Sequence, residues 1–189
     1  MSLINEKAFD TFPVLTTERM TLRAFVQEDA DQLFELRNHP KVLEYLDRPE
    51  DEGKQVSIDM IQRILESFKD HTGVSWVMSD KQTGNFLGTF GFWRLWPEHS
   101  RAEIGYTLLP KYWRKGYMRE CIETCMKYAF TELGLHSVMA NVNPDNEPSW
   151  KLLEAIGFKR EAHFREDYYA NGKFTDSYIY SCLERDLPK

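Results

Sequence analysis

Residues 109–120, which read LPKYWRKGYMRE, constrain the fold of this chain more than any other segment. They separate an apolar, strand-like run at 102–109 from a long helical pattern that begins near Gly116. A strand, a basic turn with glycine and a helix form an arrangement that binds phosphate, because the first N–H groups of a helix point outward and its dipole favours an anion. Four cations lie in this turn of a chain whose net charge is −6: Lys111, Arg114, Lys115 and Arg119. The segment predicts a phosphorylated cofactor, although a solvated turn has the same composition.

A second segment, at residues 141–158, reads NVNPDNEPSWKLLEAIGF. It predicts the end of a strand, a polar loop, a short helix and a glycine stop. The chain contains neither G-x-x-x-x-G-K-[ST] nor G-x-G-x-x-G, so the basic turn does not match the common nucleotide-binding patterns.

Four motifs now stand in a recognisable order: EIGY at 103–106, WRKGY at 113–117, N-x-x-N-x-x-S at 143–149 and L-x-x-x-G-F at 153–158. With the opening at 15–23 and the ending at 176–181, the chain resembles the GNAT acyl-CoA N-acetyltransferases over about residues 15–187. The closest likeness is to the Rim-type branch, which acetylates the N-termini of ribosomal proteins. The resemblance implies one α+β (mixed α/β) domain over residues 1–189. Its GNAT-type acyl-CoA N-acyltransferase fold has a central, mostly antiparallel sheet, splayed in the middle, with helices on both faces.

Composition limits the classes of function. A chain of 189 residues with 42% hydrophobic and 29% charged residues is expected to form one soluble domain. Apolar runs are shorter than the roughly 18 residues of a membrane span, and residues 1–7 lack the form of a signal peptide. An acidic chain is a poor binder of nucleic acid. We therefore expect a cytoplasmic protein with neither membrane nor nucleic acid as a partner, and the oligomeric state stays open.

The cysteines and histidines indicate neither disulfides nor metal. Cys121, Cys125 and Cys182 are odd in number and form no C-x-x-C motif, which favours reduced thiols. Cys121 and Cys125 lie four residues apart on one helix face and are expected to be buried. The five histidines lack the spacing of metal ligands, so we expect no metal site.

Hydrophobic periodicity predicts strands and helices in alternation. Strands are expected near residues 20–25, 74–79, 86–93, 101–109, 137–142, 158–169 and 174–183. Helices are expected over about 29–38, 56–68, 116–133 and 147–156, with hairpin turns at 81–85 and at Asn171 and Gly172.

The resemblance implies acetyl transfer from a thioester to an amine, which needs a neutral amine, a stabilised oxyanion and a protonated leaving thiolate. Direct attack in a ternary complex needs no covalent cysteine. The resemblance makes Glu103 the candidate base, acting through a chain of water rather than by direct contact. On an alternating strand Glu103 shares a face with Arg101, so a solvated carboxylate paired to Arg101 is the alternative.

The resemblance makes Ser149 the candidate acid toward the thiolate. A serine in the first turn of a helix also commonly caps backbone N–H groups, and Asn146 has the same alternative as an N-cap. Tyr106 is a reserve acid, although an inward-facing residue of a strand is more often part of the core.

The resemblance places the co-substrate, acetyl-CoA, along the strand end, the basic turn and the second polar loop. The residues it implies are Leu108, Leu109, Arg114, Lys115, Gly116, Tyr117, Met118, Asn143 and Asn146. The pyrophosphate is expected on the backbone N–H groups of about residues 114–118, with Asn143 and Asn146 on the pantetheine and adenine side. The family usually has small residues where this chain has Arg114 and Met118, and small residues allow close approach of the backbone. Met118 is therefore expected to point away from the pyrophosphate, and Arg114 to add a phosphate contact at some cost in turn geometry.

Two clusters keep two interpretations each. Aromatic residues before the central strand either wall the acceptor pocket or belong to the core: Phe90, Phe92, Trp93 and Trp96. An acidic loop either attracts a cationic acceptor or is only a solvated loop: Asp47, Glu50, Asp51 and Glu52.

These observations predict an acetyl-CoA-dependent N-acetyltransferase acting on a primary amine, in particular the α-amine of a protein or peptide such as the basic N-terminus of a ribosomal protein. One alternative is an acetyltransferase of a small amine or antibiotic. The other is a coenzyme A-binding sensor without catalysis.

Overall fold

The computed structural model describes residues 2–46, 48–170 and 172–188. Eight strands in these residues form one sheet in the order β1-β2-β3-β4-β5-β6-β8-β7. Their bounds are β1 Leu15–Thr16, β2 Met20–Arg23, β3 Val74–Asp80, β4 Phe86–Trp96, β5 Arg101–Leu108, β6 Ser137–Val142, β7 Lys159–Ala170 and β8 Lys173–Leu183. Neighbouring strands are antiparallel except β5 and β6, which are parallel. The predicted mixed fold with a mostly antiparallel sheet is confirmed.

Helices pack on both faces of this sheet. Their bounds are α1 Ala30–Asn38, α2 Pro40–Leu43, α3 Lys54–Lys69, α4 Tyr117–Thr131 and α5 Glu147–Ile156. Along β3, Trp76 and Met78 belong to a core that includes α4, whereas Val77 belongs to a core that includes α1 and α3. Because successive side chains of a strand point to opposite faces, the two cores lie on the two sides of the sheet.

The splay in the sheet lies between β5 and β6. Strand β5 pairs with β4 along its whole length, up to Leu108 opposite Gly88. Its pairing with β6, in the described residues, ends at Glu103 opposite Met139. Beyond this point β6 pairs with β8 alone. The last residues of β5 therefore have an open backbone edge, which is where a ligand can be inserted.

The predicted elements agree closely with the structure where local signals are strong. Helix α5 has the predicted bounds, because Asn146 accepts a hydrogen bond from the Ser149 N–H group at its start and Gly157 ends it with φ 116°. Four predictions need correction at the ends of elements. Strand β2 ends at Arg23 rather than at residue 25, and β4 continues to Trp96. Helix α3 begins two residues early at Lys54, and α4 ends at Thr131 rather than at residue 133.

Two short elements were not predicted, namely β1 and α2. Both are too short for periodicity to detect. Of the predicted hairpin turn between β7 and β8, Gly172 has φ 79°, while Asn171 lies outside the described residues. The three cysteines are buried thiols, as expected for Cys121 and Cys125. None of the helices in the described residues is long and apolar enough to cross a bilayer.

Candidate active site

A cleft of about 340 Å³ lies beside the part of β5 that has separated from β6. Its walls come from α2 and the residues after it, the end of β5, the basic turn, and the starts of α4 and α5. The lining residues are Val42, Tyr45, Leu46, Tyr106, Thr107, Leu108, Trp113, Arg114, Met118, Asn146, Pro148, Ser149 and Leu152. Five of the residues predicted for the site thus meet in one cleft: Leu108, Arg114, Met118, Asn146 and Ser149.

The basic turn has an unusual backbone. Arg114 has φ 57° and Gly116 has φ 82°, so both occupy the left-handed region, and α4 begins at Tyr117. This conformation strains a residue with a Cβ atom by roughly 1–2 kcal/mol, so Arg114 carries the predicted cost in turn geometry. The Trp113 indole donates a hydrogen bond to the Leu108 carbonyl at 2.6 Å, which ties the turn to the end of β5.

The start of the chain holds the turn from the other side. Arg19 donates to the Lys115 carbonyl at 2.8 Å, pairs with Glu120 at 2.7 Å and lies 4.1 Å over the Tyr117 ring. The Thr17 hydroxyl and the Arg19 N–H group also bind Glu120. Desolvation of Glu120 is outweighed by these hydrogen bonds, so its pKa is lowered and the carboxylate stays charged.

These contacts were not predicted, because Thr17 and Arg19 lie about 100 residues from Glu120 and no periodicity links them. The local signal was that Thr17 and Arg19 belong to the opening at residues 15–23, on which the family resemblance partly rests.

The other predicted cofactor residues have different surroundings. Leu109 is 5% exposed and packs in the core of α1 and α3. Lys115 and Gly116 are exposed on the rim, and Tyr117 lies beneath Arg19. Asn143 accepts a hydrogen bond from the Asp145 N–H group at 2.9 Å within the polar loop. These residues do not line the cleft, so contacts of Leu109, Lys115, Gly116, Tyr117 and Asn143 with coenzyme A stay predictions.

Met118 is 8% exposed and packs in the core around α4 while lining the cleft. The expectation that Met118 points away from the pyrophosphate stays a prediction.

Two hydroxyl groups meet in the cleft wall. The Tyr106 Oη atom lies 2.8 Å from Ser149 Oγ, and either group can donate. The cap of α5 is the Asn146 side chain, which accepts from the Ser149 N–H group at 3.2 Å. The alternative role of Asn146 as an N-cap is thus observed, whereas the Ser149 hydroxyl contacts Tyr106 instead of capping the helix. Burial, partly opposed by the Ser149 hydrogen bond, raises the pKa of Tyr106 to about 12.

Glu103 is buried at the last residue of β5 that pairs with β6. Its carboxylate lies 3.7 Å from the Arg94 guanidinium, across a bulge in β4. The alternative of a solvated carboxylate paired to Arg101 is therefore wrong, because the Glu103 side chain is 11% exposed and its ion-pair partner is Arg94. Burial raises the pKa of Glu103, against the opposing charges of Arg94 and Arg101.

Glu103 and Tyr106, whose hydroxyl contacts Ser149, are three residues apart on β5. Three residues of a strand span about 10 Å, and side chains three apart point to opposite faces. Glu103 therefore faces the α1–α3 side, whereas Tyr106 faces α4 and α5. The expected chain of water between Glu103 and the amine stays a prediction.

The aromatic cluster before β5 divides into two groups. Phe90 and Phe92 are fully buried, so for them the core interpretation holds. Trp93 is 47% exposed and covers Gly105, where an added Cβ atom would lie 3.2 Å from the indole. Arg94 packs 4.3 Å over the Trp93 ring and 5.7 Å from the Trp96 ring. Trp93 and Trp96 thus lie beside Arg94, the ion-pair partner of Glu103, and for them a role in the wall of the acceptor pocket stays a prediction.

The acidic loop needs a correction. Asp51 forms a bidentate ion pair with Arg37, at 2.6 and 3.0 Å, and also contacts Arg48 at 3.0 Å. Its side chain is 8% exposed, and the Arg37 hydrogen bonds hold its pKa below the ordinary value. Asp47 lies outside the described residues. Asp51 therefore binds the loop to α1 and is not available to a cationic acceptor, while Glu50 and Glu52 are exposed. The described residues contain no group of three or more His, Cys, Asp or Glu that would hold a metal ion.

Comparison with known proteins identifies the family. Residues 19–159 match the acetyltransferase (GNAT) domain. The uncharacterised N-acetyltransferase YoaA of Bacillus subtilis is 35% identical, over 92% of this chain and 98% of its own length. YdaF of the same organism, provisionally named a ribosomal N-acetyltransferase, is 28% identical over 93% of this chain and 97% of its own.

Relatives named for small amines are also similar. The spermidine N(1)-acetyltransferase of Vibrio cholerae is 27% identical over 84% of this chain and 89% of its own length. The crystal structure of spermidine N-acetyltransferase from that organism, in complex with CoA and spermine, has a TM-score of 0.78 at 25% identity and covers 88% of this chain and 96% of that one. With the GNAT match over most of its length, this chain belongs to the GNAT family of N-acetyltransferases.

Proposed function

We propose that this enzyme transfers the acetyl group of acetyl-CoA to the α-amine of a protein or peptide, by direct attack in a ternary complex. The observation that carries the proposal is the cleft at the splay of the sheet. There the basic turn, the Ser149 hydroxyl and the open edge of β5 meet, and a buried carboxylate lies at the last paired residue of the same strand. These groups supply a phosphate site, a hydrogen-bond donor and a base within one strand length.

The cofactor end fits a phosphorylated, partly apolar ligand. Arg114 lines the cleft and Lys115 is exposed beside it, where the outward N–H groups at the start of α4 favour an anion. The open edge of β5 offers backbone hydrogen bonds to an amide-containing arm, next to Leu108, Met118 and Leu152. When bound there, acetyl-CoA supplies a thioester whose carbonyl carbon accepts the amine.

Glu103 acts as the base through water. The amine loses one proton toward Glu103 as the C–N bond forms, and the leaving sulfur becomes a thiol by gaining one proton. Burial raises the pKa of Glu103, and the charges of Arg94 and Arg101 oppose this rise and so favour the ionised form that a base needs.

The energetics favour an α-amine over a lysine side chain. An α-amine has a pKa near 8 and a lysine ammonium one near 10.4, so deprotonation at pH 7 costs roughly 1.4 kcal/mol for the first and roughly 4–5 kcal/mol for the second. A single carboxylate acting through water assists the smaller cost more easily.

The surrounding charges also favour an acceptor with one cation at the reacting end. Three carboxylates with largely buried side chains, Asp29, Asp51 and Glu103, each have an arginine partner. A polyamine carries several cations, which need several carboxylates without such partners.

The second candidate is acetylation of a small amine. It is favoured by the relatives that are named spermidine N-acetyltransferases.

Release of coenzyme A thiol measures the acceptor directly. Three probes are compared at equal concentration: a basic peptide with a free α-amine, the same peptide with a blocked N-terminus and an internal lysine, and spermidine. We expect the free-amine peptide to react fastest. Equal rates for the blocked peptide would overturn the α-amine proposal, and reaction of spermidine alone would establish the second candidate.

The role of Glu103 is tested with Glu103→Gln, which should lower turnover by about 100-fold with little change in acetyl-CoA affinity. The exposed Glu98→Gln is the matched control with the same loss of charge. Binding of coenzyme A in calorimetry without thiol release from any probe would instead establish a sensor without catalysis.

A further inference from the structure

The Tyr106 ring is held rigidly in the cleft wall. It is the cross-strand partner of Phe90, and the two rings are stacked with centroids 6.4 Å apart and an interplanar angle of 7°. Phe90 is 1% exposed. The ring position fixes the phenol oxygen, which lies 2.8 Å from Ser149 Oγ. The Ser149 side chain, by contrast, can place its hydroxyl in any of the staggered positions about its Cα–Cβ bond, so a contact is needed to fix the oxygen.

Only one of the two hydroxyl protons lies between the two oxygens. A phenol, with an ordinary pKa near 10, is a stronger acid than an aliphatic alcohol and is therefore the better donor. With Tyr106 as donor, the Ser149 oxygen accepts and its own O–H group can point into the cleft. A hydroxyl that accepts a hydrogen bond is also polarised into a stronger donor. The Asn146 side chain already caps α5, so the helix does not compete for the Ser149 hydroxyl.

We propose that Tyr106 is a positioning residue that acts through Ser149, holding the serine oxygen so that its O–H group is directed at the sulfur that leaves. The inference rests on the proposed function. As the C–S bond breaks, its electron pair stays on sulfur, and the Ser149 hydrogen bond stabilises that charge. The thiol then forms by gaining the one proton that the amine nitrogen has lost.

Tyr106 itself is not the source of that proton. Burial raises the pKa of Tyr106 to about 12, well above the value near 8.5 of an ordinary thiol. Proton transfer from Tyr106 to the thiolate would thus be uphill, whereas a neutral phenol can donate a hydrogen bond over the whole working range of pH. The reserve role of Tyr106 as an acid is replaced by a positioning role.

A double-mutant cycle tests this inference with Tyr106→Phe, Ser149→Ala and the double variant. Phenylalanine keeps the stacking on Phe90 and removes only the hydroxyl. The rate of thiol release is measured with the acceptor that the wild-type enzyme acetylates, and acetyl-CoA affinity is measured by calorimetry. We expect Tyr106→Phe alone to lower kcat by about fivefold to tenfold, and to change kcat less than twofold once Ser149 is alanine. Acetyl-CoA affinity should stay within twofold in each variant.

Ser149→Thr gives a second readout, because threonine keeps the hydroxyl and should restore the dependence on Tyr106. An equal loss of kcat from Tyr106→Phe in both backgrounds would overturn the inference, as would full activity of Tyr106→Phe alone. Failure of the proposed function is distinguishable from both outcomes, since the wild-type enzyme would then release no thiol with any probe.

Discussion

The basic turn between β5 and α4 and the acidic loop before α3 are both dense in charge, but they use that charge differently. In the turn, Lys111, Arg114, Lys115 and Arg119 are all exposed. Within the described residues, Arg114 and Lys115 have no ion-pair partner. In the loop, the Asp51 side chain is 8% exposed and lies between Arg37 and Arg48, and the Asp51 backbone N–H group donates to Asn38. The turn leaves Arg114 and Lys115 exposed without an ion pair among the described residues. The loop, by contrast, pairs Asp51 with two arginines and so holds α1 to the segment before α3.

This difference shows why a charged run cannot be interpreted from its composition. An exposed charge in a turn keeps its electrostatic potential for an incoming anion, although salt screens it. A buried carboxylate between two guanidinium groups contributes to the packing of helices instead. We therefore expect substitutions in the acidic loop to change stability and substitutions in the basic turn to change affinity for acetyl-CoA.

The largest expected effect is that of Asp51→Asn on stability. Loss of the charge leaves Arg37 and Arg48, which are 19% and 21% exposed, without their counter-ion. Breaking one partner of a largely shielded pair is destabilising, and we expect a loss of about 2 kcal/mol in the free energy of unfolding, between the values for exposed and fully buried pairs. Denaturant titration measures it, with the exposed Glu50→Gln of the same loop as control. A loss of the same size in Glu50→Gln, or none in Asp51→Asn, would remove the distinction between the regions.

The pH dependence of stability sharpens the same point. The folded-state pKa of Asp51 is lowered, so its contribution is present above the unfolded pKa near 3.9 and is lost as the pH falls through the lowered folded value. Between about pH 5 and pH 3 the wild-type protein should therefore lose more stability than Asp51→Asn does. Thermal melting over this range measures the difference. Parallel curves for the two proteins would show that the carboxylate is not stabilised by its arginines.

In the basic turn, the expected effect is on affinity. Arg114→Gln should weaken acetyl-CoA binding by about tenfold, since a charge-assisted hydrogen bond to phosphate is lost, while stability changes little. Lys127→Gln is the matched control, because Lys127 is an exposed cation further along α4. Calorimetric titration with acetyl-CoA measures both. Equal weakening in the control would mean that only net charge matters.

The smallest expected effect concerns the backbone of the turn. Arg114→Ala and Arg114→Gly both remove the guanidinium and should bind acetyl-CoA equally weakly. Only glycine adopts φ 57° without strain, so Arg114→Gly should be more stable than Arg114→Ala by about 1 kcal/mol. In an ordinary helical position the order would be reversed. If alanine is as stable as glycine here, the left-handed conformation of residue 114 carries no cost.

Much of the fold was predictable because its signals are local. The bounds of β6 and α5 agree with the predicted ones, since alternation, an N-cap at Asn146 and a glycine stop at Gly157 are all encoded within a few residues. Part of the cleft was predictable for a similar reason. Arg114, Met118, Asn146 and Ser149 belong to motifs that follow strand ends, and strand ends at a splay face one opening.

The remaining features depend on pairs that are far apart in the chain. Tyr106 and Ser149 are 43 residues apart, and Arg19 and Glu120 are 101 residues apart. Neither strand alternation nor helical periodicity relates such residues. The partner of Glu103 was also mistaken, because a bulge in β4 brings Arg94 across from it and a bulge is not visible in the pattern of apolar residues.

The sequence by itself determined the family, the order of strands and helices and the position of the basic turn, because motifs and periodicity act over a few residues. Only the tertiary structure decided which charged groups are exposed without an ion pair and which are paired and shielded from water. Desolvation and ion pairing depend on what packs around a group, as Asp51 and Arg114 demonstrate. The same physical reason separates Glu103, buried beside Arg94, from the solvated carboxylate that its strand position alone permitted.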